Sequence, residues 1–466
     1  MRRNYRLDSK VVGLAAAALA MFSSGVWAQE ETAQPHRDGV GDITFALSGD
    51  AIITRKLSVY DEPEFIEIRD VMRNATAAFT NAEMLFLDYD EPEVIPSSQS
   101  GGTYMRAEPE LASELAWMGV DLVSTANNHS LDYGYGGLRA NLKWLRKAGL
   151  VAAGTGENLA EARAPHYLDT PGGRVAIISV ASTFADFNPA GPQRKDMRGR
   201  PGLNPLHVQT TYTVPSDPFD ALSEVRDSLG LGGSGRSGGG DRMRLFGATI
   251  LRGDGYHVTS VVAPEDLEAI TASVRDAKRQ ANWVVVASHT HQGGANVADF
   301  LANFAHAVID AGADVFVGHG PHMLRGVEIY KGRPIFYSLG DFLMENETVE
   351  LQPWENYHSV GLGDDALPGE FYDARIERGG GSFPARATYW EAVVAVPKFT
   401  NGRLTQIELH PITLGFGLPR PQRGRPLAAK GDLAREIITR MQQLSKPLGT
   451  DIAYEKGLGV IRLDRG

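Results

Sequence analysis

Two histidines three positions apart, His319 and His322, directly follow a strand-like run at residues 314–317. Glycine stands on both sides of His319, and glycine lets the backbone turn sharply and approach a ligand closely. Neutral imidazole is the commonest nitrogen ligand of zinc and related ions. The segment therefore predicts a metal site at the end of a strand, with an ordinary pair of loop histidines as the alternative.

Other apolar runs along the chain also end in side chains that could bind a metal. These side chains are Asp50, Asn128 with His129, and His289. Sites in open α/β sheets lie outside the carboxyl ends of the strands, so these side chains can converge with His319 and His322. His291 would face the same side as His289 if its strand continued, and we favour His289 because it is nearer the strand exit.

The pair Asn128 and His129 suits phosphoesterase-type chemistry. An amide oxygen can coordinate a metal, while an imidazole can protonate a leaving oxygen. Asp132, three residues further on, could orient that imidazole. The alternative is a polar turn that caps the following helix.

Acidic side chains could complete such a site. Glu83 closes the triplet 81–83 just before the apolar run 84–87, and either its carboxylate or the amide of Asn81 could reach the metal. The alternative is a turn between helix and strand that uses the backbone tolerance of asparagine. Asp341 ends a further strand-like run and could hold a ligand in place.

Composition limits the class of partner. The chain has 466 residues, a formal net charge of -11 and no cysteine. The negative charge makes nucleic acid an unfavourable partner, and an acidic polymer would need a local metal or basic site. The absence of cysteine excludes disulfides, thiolate ligands and a lipoprotein anchor.

The amino terminus has the features of an export signal. Arg2, Arg3 and Arg6 precede an alanine-rich apolar stretch at 11–22, and small residues follow up to Ala28. We expect a signal peptide at 1–28 and a periplasmic or extracellular protein without a transmembrane segment in its mature form. An uncleaved anchor is the alternative, and both Sec and twin-arginine export remain open.

The rest of the chain alternates strand-like and helix-like segments, which is typical of an α/β protein. We expect a loose segment at 29–41, a main domain at 42–420 and a C-terminal extension at 421–466. Two insertions are expected within the main domain, at about 186–260 and 345–385. The first contains a Gly/Ser-rich run at 229–241 that should be flexible.

Several of these motifs together resemble the CapA-type family of capsule and poly-γ-glutamate synthesis proteins, within the calcineurin-like metallophosphoesterase superfamily. The resemblance covers about residues 42–345, and the residues that carry it are Gly49-Asp50 with Arg55, 81–83, 126–129 with 131–134, Ser288-His289, 312–322, 326–328 and 337–340. It implies a four-layer α/β/β/α sandwich with a metal centre at the strand ends.

By this resemblance, one or two divalent ions, zinc or manganese being favoured, would be bound by a set of six side chains. The implied ligands are Asp50, Glu83, Asn128, His289, His319 and His322. His129 would be the leaving-group acid, and Asp132 would assist it. Arg55, and Arg200 with Asn204 in the first insertion, are candidates for substrate binding.

The chain departs from the superfamily pattern at several positions. Ile52 stands where the superfamily usually has a histidine, and Gly320-Pro321 separates two histidines that usually have one residue between them. Thr290-His291 replaces an aromatic residue and a glycine, and Asp341 replaces an asparagine. One metal position could therefore be weak, and hydrolysis is not assured by the resemblance alone.

The resemblance predicts an exported, metal-dependent, phosphoesterase-type protein acting in the synthesis, export or processing of an extracellular polymer such as poly-γ-glutamate. Its partners would be an acidic polymer or a phosphoester substrate, together with a membrane polymer-synthesis complex. The alternative is a non-catalytic assembly or polymer-binding factor on the same fold. A periplasmic nucleotidase would need an aromatic clamp for the base, for which Trp354 and Tyr357 are candidates.

Overall fold

The computed structural model describes residues 41–231, 240–379 and 383–463. The predicted signal peptide at 1–28, the segment 29–40 and most of the Gly/Ser-rich run lie outside the described residues. Within them the chain forms ten α-helices and twenty-four strands.

The helices are α1 (Pro63–Asn74), α2 (Leu111–Met118), α3 (Gly134–Lys147), α4 (Leu159–Arg163), α5 (Ser216–Ser228), α6 (Pro264–Gln280), α7 (Asp299–Asp310), α8 (Trp354–Ser359), α9 (Pro368–Arg378) and α10 (Gly431–Ser445). The strands are β1 (Ile43–Ile52), β2 (Ala77–Ala82), β3 (Leu85–Phe86), β4 (Arg106–Ala107), β5 (Leu122–Ser124), β6 (Val151–Ala153), β7 (Thr155–Gly156), β8 (His166–Thr170), β9 (Gly173–Ala181), β10 (Gly202–Leu203), β11 (Val208–Val214), β12 (Arg242–Leu245), β13 (Ala248–Arg252), β14 (His257–Val262), β15 (Trp283–His289), β16 (Val315–His319), β17 (Val327–Tyr330), β18 (Arg333–Phe336), β19 (Asp341–Met344), β20 (Glu391–Thr400), β21 (Arg403–Thr413), β22 (Leu427–Ala428), β23 (Ala453–Glu455) and β24 (Leu458–Arg462).

Two large sheets form the centre of the protein. One has the order β23-β24-β21-β20-β1-β2-β5-β6, with β19 beside β1 and β22 beside β21. The other has the order β17-β18-β16-β15-β9-β8. In each sheet the central strands run parallel: β19, β1, β2, β5 and β6 in the first, and β18, β16, β15 and β9 in the second. Each sheet therefore collects several carboxyl strand ends at one edge.

The sheets pack face to face around a shared apolar core. Phe45 of one sheet, Trp283 of the other and Phe399 of β20 form an aromatic cluster with ring centroids 5.0 to 6.2 Å apart. Helices α1, α2 and α3 contribute to the core on the outer face of the first sheet. Helices α6 and α7 cover the outer face of the second. The four-layer α/β/β/α sandwich predicted from the sequence is confirmed.

The residue pattern of α6 shows how a covering helix is specified. Pro264 occupies its first turn with acidic residues, and basic residues occupy its last turn, as the helix dipole favours. Ile270, Val274 and Ala277 recur at helical spacing and are buried. This stripe packs α6 on the second sheet.

Both predicted insertions have structure of their own. The first contains α5 and a four-stranded sheet in the order β12-β13-β11-β14. A small cluster that includes Phe219, Met243 and Ile250 joins them. The second contains α8 and α9, and α9 buries Phe371 and Tyr372 against the main core. The proline- and glycine-rich composition of the first insertion thus marked its turns, and it did not exclude a folded module.

Residues 421–463 complete the first sheet. Strand β24 pairs with β21, and β23 forms the sheet edge. Helix α10 buries Ile437, Ile438 and Met441 in the core between the sheets. Of the helices in the described residues, none combines the length and apolar content that crossing a bilayer requires.

Gly49 fixes how closely β1 and β19 approach each other at the site. A Cβ atom on Gly49 would lie 1.8 Å from the carbonyl oxygen of Gly340. The same carbonyl accepts a hydrogen bond from the amide of Asp50 at 3.3 Å. The absence of a side chain at residue 49 therefore allows Asp50 and Asp341 to lie in register on neighbouring strands.

Candidate metal centre

Asp50 lies where the two sheets meet. Its carboxylate is fully buried, and it accepts hydrogen bonds from the side-chain amide of Asn81 at 2.7 Å and from the backbone amide of Gly320 at 2.9 Å. The second bond joins the end of β1 to the loop after β16, so the carboxyl ends of both sheets converge here. The Nδ1 atoms of His319 and His322 lie 3.6 and 3.7 Å from its oxygens.

Glu83 faces the same space without any hydrogen bond. Both of its carboxylate oxygens are buried and unpartnered within the described residues. The Nε2 atoms of three histidines surround its Oε1, at 3.6 Å for His289, 3.7 Å for His322 and 4.0 Å for His291. Buried polar atoms normally have hydrogen-bond partners, and these distances are too long for one. A carboxylate so placed fits a cation held between it and the imidazoles.

The structure brings seven side chains into overlapping groups whose ligand atoms lie within 4.8 Å of one another. The groups are Asp50 with His289 and His319, Glu83 with His291 and His322, and Asp50 with His322 and Asp341. These groups could hold a metal ion. Mixed imidazole and carboxylate donors suit borderline divalent cations such as zinc or manganese.

Burial sets the protonation of most of these groups. It lowers the pKa of His291 to about 3 and of His319 to about 4, and it lowers the pKa of His289 well below the usual value. These imidazoles are therefore neutral, which is the form that binds metals. Burial, reinforced by the charge of Asp50, raises the pKa of Glu83, and a divalent cation beside it would act in the opposite direction.

His322 differs from the other imidazoles because it has a carboxylate partner. Its Nδ1 lies 2.8 Å from Oδ1 of Asp341. Burial lowers the pKa of His322, but the charge and hydrogen bond of Asp341 outweigh burial and raise it overall. Burial raises the pKa of Asp341 to about 6, and its Oδ2 is buried without a partner. Asp341 both orients His322 and offers an oxygen to the centre.

His291 joins the centre from beyond the end of its strand. Strand β15 ends at His289, and Thr290 then donates its backbone amide to the carbonyl of His319. The amide of His291 donates to the hydroxyl of Thr183 at 2.9 Å. Proximity to the strand exit favours His289 over His291 in the sequence, whereas the structure brings both to Glu83. Its position two residues after a strand histidine was the available signal.

His129 and Asp132 form a hydrogen-bonded pair beside the centre. Nδ1 of His129 lies 2.7 Å from Oδ2 of Asp132, which also accepts the backbone amide of Met105 at 2.8 Å. Burial raises the pKa of Asp132, and the charge of His129 partly offsets that rise. Because Asp132 holds Nδ1, the Nε2 atom of His129 is the one left to meet a substrate.

The two asparagines before His129 have different roles. The side-chain amide of Asn127 donates to Oδ1 of Asn81 and to the carbonyl of Ala82, while its oxygen accepts the backbone amide of His129. Asn127 thereby fixes the loop that carries His129 to the strand that carries Asn81. Asn128 donates to the carbonyl of Gly101 at 3.2 Å, and its side-chain oxygen is buried without a partner, as a metal ligand would require.

The predicted substrate-binding residues make contacts within the protein. Arg55 pairs with Glu345 at 2.8 Å and donates to two backbone carbonyls. Arg200 donates to the carbonyl of Pro189 at 3.0 Å. The buried amide of Asn204 donates to the carbonyl of Ser179 and accepts from Arg163. The structure does not include them in the metal-binding groups.

The second insertion covers part of the centre. The ring of Phe383 stacks on the ring of His322 with centroids 4.4 Å apart and an interplanar angle of 26°. Ile52, at the superfamily histidine position, is buried in the apolar core and pairs with Met344. Residue 52 therefore contributes no side chain to the groups described above.

We predict that the metal-free protein loses stability in acid through its buried imidazoles. His319 has a folded-state pKa of about 4, against an ordinary value of 6.5. Its contribution to the free energy of unfolding is therefore complete above pH 6.5 and is lost as the pH falls towards 4. For one such group, the free energy of unfolding should change by about 1.4 kcal/mol per pH unit in this range. The measurement is denaturant unfolding in the presence of a chelator. The free energy of unfolding should depend more steeply on pH in the wild type than in His319→Asn. Parallel curves for the two proteins between pH 6.5 and 4 would contradict it.

Comparison with known proteins agrees with the fold. Residues 39–346 match the family model described as bacterial capsule synthesis protein PGA_cap. The chain is 35% identical over 436 residues to the uncharacterized protein y4sH of Sinorhizobium fredii, covering 91% of this chain and 94% of that protein. It is 24% identical over 361 residues to the capsule biosynthesis protein CapA of Bacillus anthracis, covering 74% and 70%. It is 27% identical over 244 residues to the PGA biosynthesis protein CapA of Bacillus subtilis, covering 52% and 47%. The chain therefore belongs to the bacterial capsule synthesis family of CapA-type proteins.

Proposed function

We propose that this protein acts in the making or export of an anionic extracellular polymer, and that its centre hydrolyses a phosphoester in that process. The observation that carries the hydrolytic part is the His129–Asp132 pair, placed beside unpartnered metal-ligand atoms. Membership of the capsule synthesis family, and the capsule and PGA biosynthesis roles named for the two CapA relatives, support a role in making such a polymer. Family membership also supports a second partner besides the polymer, namely a polymer-synthesis complex at the membrane.

Ligands for a divalent ion come from both sheets. Asp50, Glu83 and Asn128 come from the first sheet and its loops, and the histidines His289, His291, His319 and His322 come from the second. Such an ion, zinc or manganese, supplies polarisation of a phosphoryl oxygen and activation of water. The carbonyl oxygen of Asn128 and the imidazoles of His289, His291 and His319 need no deprotonation at neutral pH to serve as ligands.

The chain itself supplies the proton for the leaving group. The hydrogen bond from Nδ1 of His129 to Asp132 fixes the tautomer and the ring orientation. Nε2 then delivers a proton to the leaving oxygen. General acids of this kind contribute about 10²- to 10⁴-fold to the rate.

A non-catalytic assembly factor is the second candidate. The observation that favours it is Ile52, whose apolar side chain is packed in the core where the superfamily has a histidine. On this alternative the centre binds metal and polymer but performs no hydrolysis. The two functions differ in what loss of His129 does, because only an enzyme needs its proton.

Loss of two imidazoles should remove the metal. His319→Ala with His322→Ala deletes a ligand from every one of the three groups, so stoichiometric binding of zinc or manganese should be lost. The measurement is elemental analysis of the purified protein after dialysis. His306→Ala is the matched control, because His306 pairs with Glu328 away from the centre. Full metal content in the double variant would exclude this site.

Loss of the general acid should separate metal from activity. His129→Ala should keep its metal but lose about 10²- to 10⁴-fold in kcat on bis-p-nitrophenyl phosphate. Asp132→Asn should lose activity in the same direction, since the ring loses its partner. If the metal-loaded wild type turns over no phosphoester and His129→Ala supports normal polymer export in cells, the assembly-factor function replaces hydrolysis.

We also propose that the protein is exported. The basic, apolar and small-residue segments within 2–28 support this, and the mature chain would begin near Gln29. Amino-terminal sequencing of the protein recovered from the periplasm or medium should read from about residue 29. An intact Met1 on soluble protein that stays in the cytosol would contradict export.

A further inference from the structure

Arg375 is a half-buried arginine on α9 of the second insertion. Its guanidinium makes no hydrogen bond or ion pair with another described residue. Burial lowers the pKa of Arg375, and the charges of Tyr372 and Glu347 only partly oppose this. Glu347 itself is paired with Arg423. A half-buried guanidinium offers five donors, and no anion among the described residues occupies them, so it can accept an anionic ligand.

Neighbouring cations are engaged, which makes Arg375 different from them. Arg378, one turn further along α9, donates to the carbonyl of Ser359. Arg420 pairs with Asp373 at 2.7 Å. These contacts hold the insertion together, whereas the guanidinium of Arg375 adds nothing comparable to its packing.

Arg375 lies beside the loop that covers the general acid. Its Nη2 is 3.8 Å from the position that a Cβ on Gly102 would take. The preceding residue, Gly101, touches the site directly, because a Cβ on it would lie 2.4 Å from Nδ2 of Asn128 and 2.9 Å from Cε1 of His129. The guanidinium therefore lies beside Gly102, which directly follows the residue that touches Asn128 and His129.

Arg375 is also near the metal ligands. Its positive charge is among the influences that lower the pKa of His322, which places it within electrostatic reach of that ring. Phe383, from the same insertion, stacks on His322. The insertion therefore brings one apolar and one cationic side chain to the edge of the centre.

We propose that Arg375 binds an oxyanion of the substrate, a carboxylate or a phosphate, next to the group held at the metal centre. A guanidinium can bind either oxyanion through two parallel hydrogen bonds. A local cation is needed because the chain as a whole is negatively charged and repels anions. This assignment rests on the proposed function, because it assumes that the substrate binds at the metal centre. It adds that the substrate carries a second anionic group.

Equilibrium binding to metal-loaded protein tests the proposal without any need for catalysis. The probes are a short γ-linked glutamate oligomer, which carries carboxylates, and tripolyphosphate, which carries phosphates. Arg375→Gln should weaken the binding of one of them at least tenfold with unchanged metal content, and Arg375→Lys should restore only part of the loss. The probe that responds identifies the oxyanion. Arg378→Ala, on the same helix, should bind as the wild type does.

The outcomes distinguish this proposal from the hydrolytic one. If Arg375→Gln binds both probes as tightly as the wild type, or if the metal-loaded wild type binds neither, the assignment of Arg375 is overturned. If Arg375→Gln loses metal as well, Arg375→Lys decides: weaker binding at full metal content supports the proposal, and unchanged binding overturns it. A loss of probe binding together with an absence of hydrolysis in the wild type would leave Arg375 as a binding residue of an assembly factor.

Discussion

Three carboxylates buried within one small volume are the constraint on which this structure depends. Asp50, Glu83 and Asp341 are all fully buried. Removing carboxylates from water is costly unless they are paired or bound to a cation. Asp50 and Asp341 obtain part of this compensation from amides and from His322, whereas Glu83 has no hydrogen-bond partner among the described residues. A divalent ion would stabilise all three at once, and the imidazoles around them form groups that could hold one.

The sandwich makes this arrangement possible by joining two sets of strand ends. Glycines at 49 and 340 let β1 and β19 approach closely, and Gly320 lets the loop after β16 donate its amide to Asp50. The left-handed backbone of Gly320, with φ of 106°, is a conformation that residues with a Cβ seldom adopt. Because the two sheets are pinned together at this point, the ligands of one face those of the other.

The part of the site that the sequence predicted follows from strand periodicity. A histidine or aspartate at the end of a strand lies at the edge of the sheet that the carboxyl strand ends form. The sequence could therefore group Asp50, His289, His319 and His322. The family resemblance supplied the sandwich, and the fold and the family match both confirm it. The position of His291 could not be predicted in this way. Strand β15 has already ended at residue 289, so the alternation of side chains along a strand no longer determines where the ring of His291 points.

Long-range pairing explains what the sequence could not predict. Arg55 is predicted to bind substrate, and the structure also pairs it with Glu345, 290 positions away, a contact that the sequence does not predict. The same holds for Phe383 and Arg375, since only tertiary structure brings the second insertion over the centre. No local pattern distinguishes a cation that completes an internal ion pair from one that faces a site.

The distribution of the ligands along the chain has a consequence for how the centre matures. The ligand residues extend from Asp50 to Asp341 and come from both sheets, so no early portion of the chain contains a complete group. An ion can be captured tightly only after the sheets have docked. The identity of a bound ion would then depend on which metals are available in the compartment where folding finishes, in addition to the preference of the ligands. A chain that crosses the membrane unfolded would acquire its metal outside, whereas one that crosses already folded would carry a cytoplasmic ion with it.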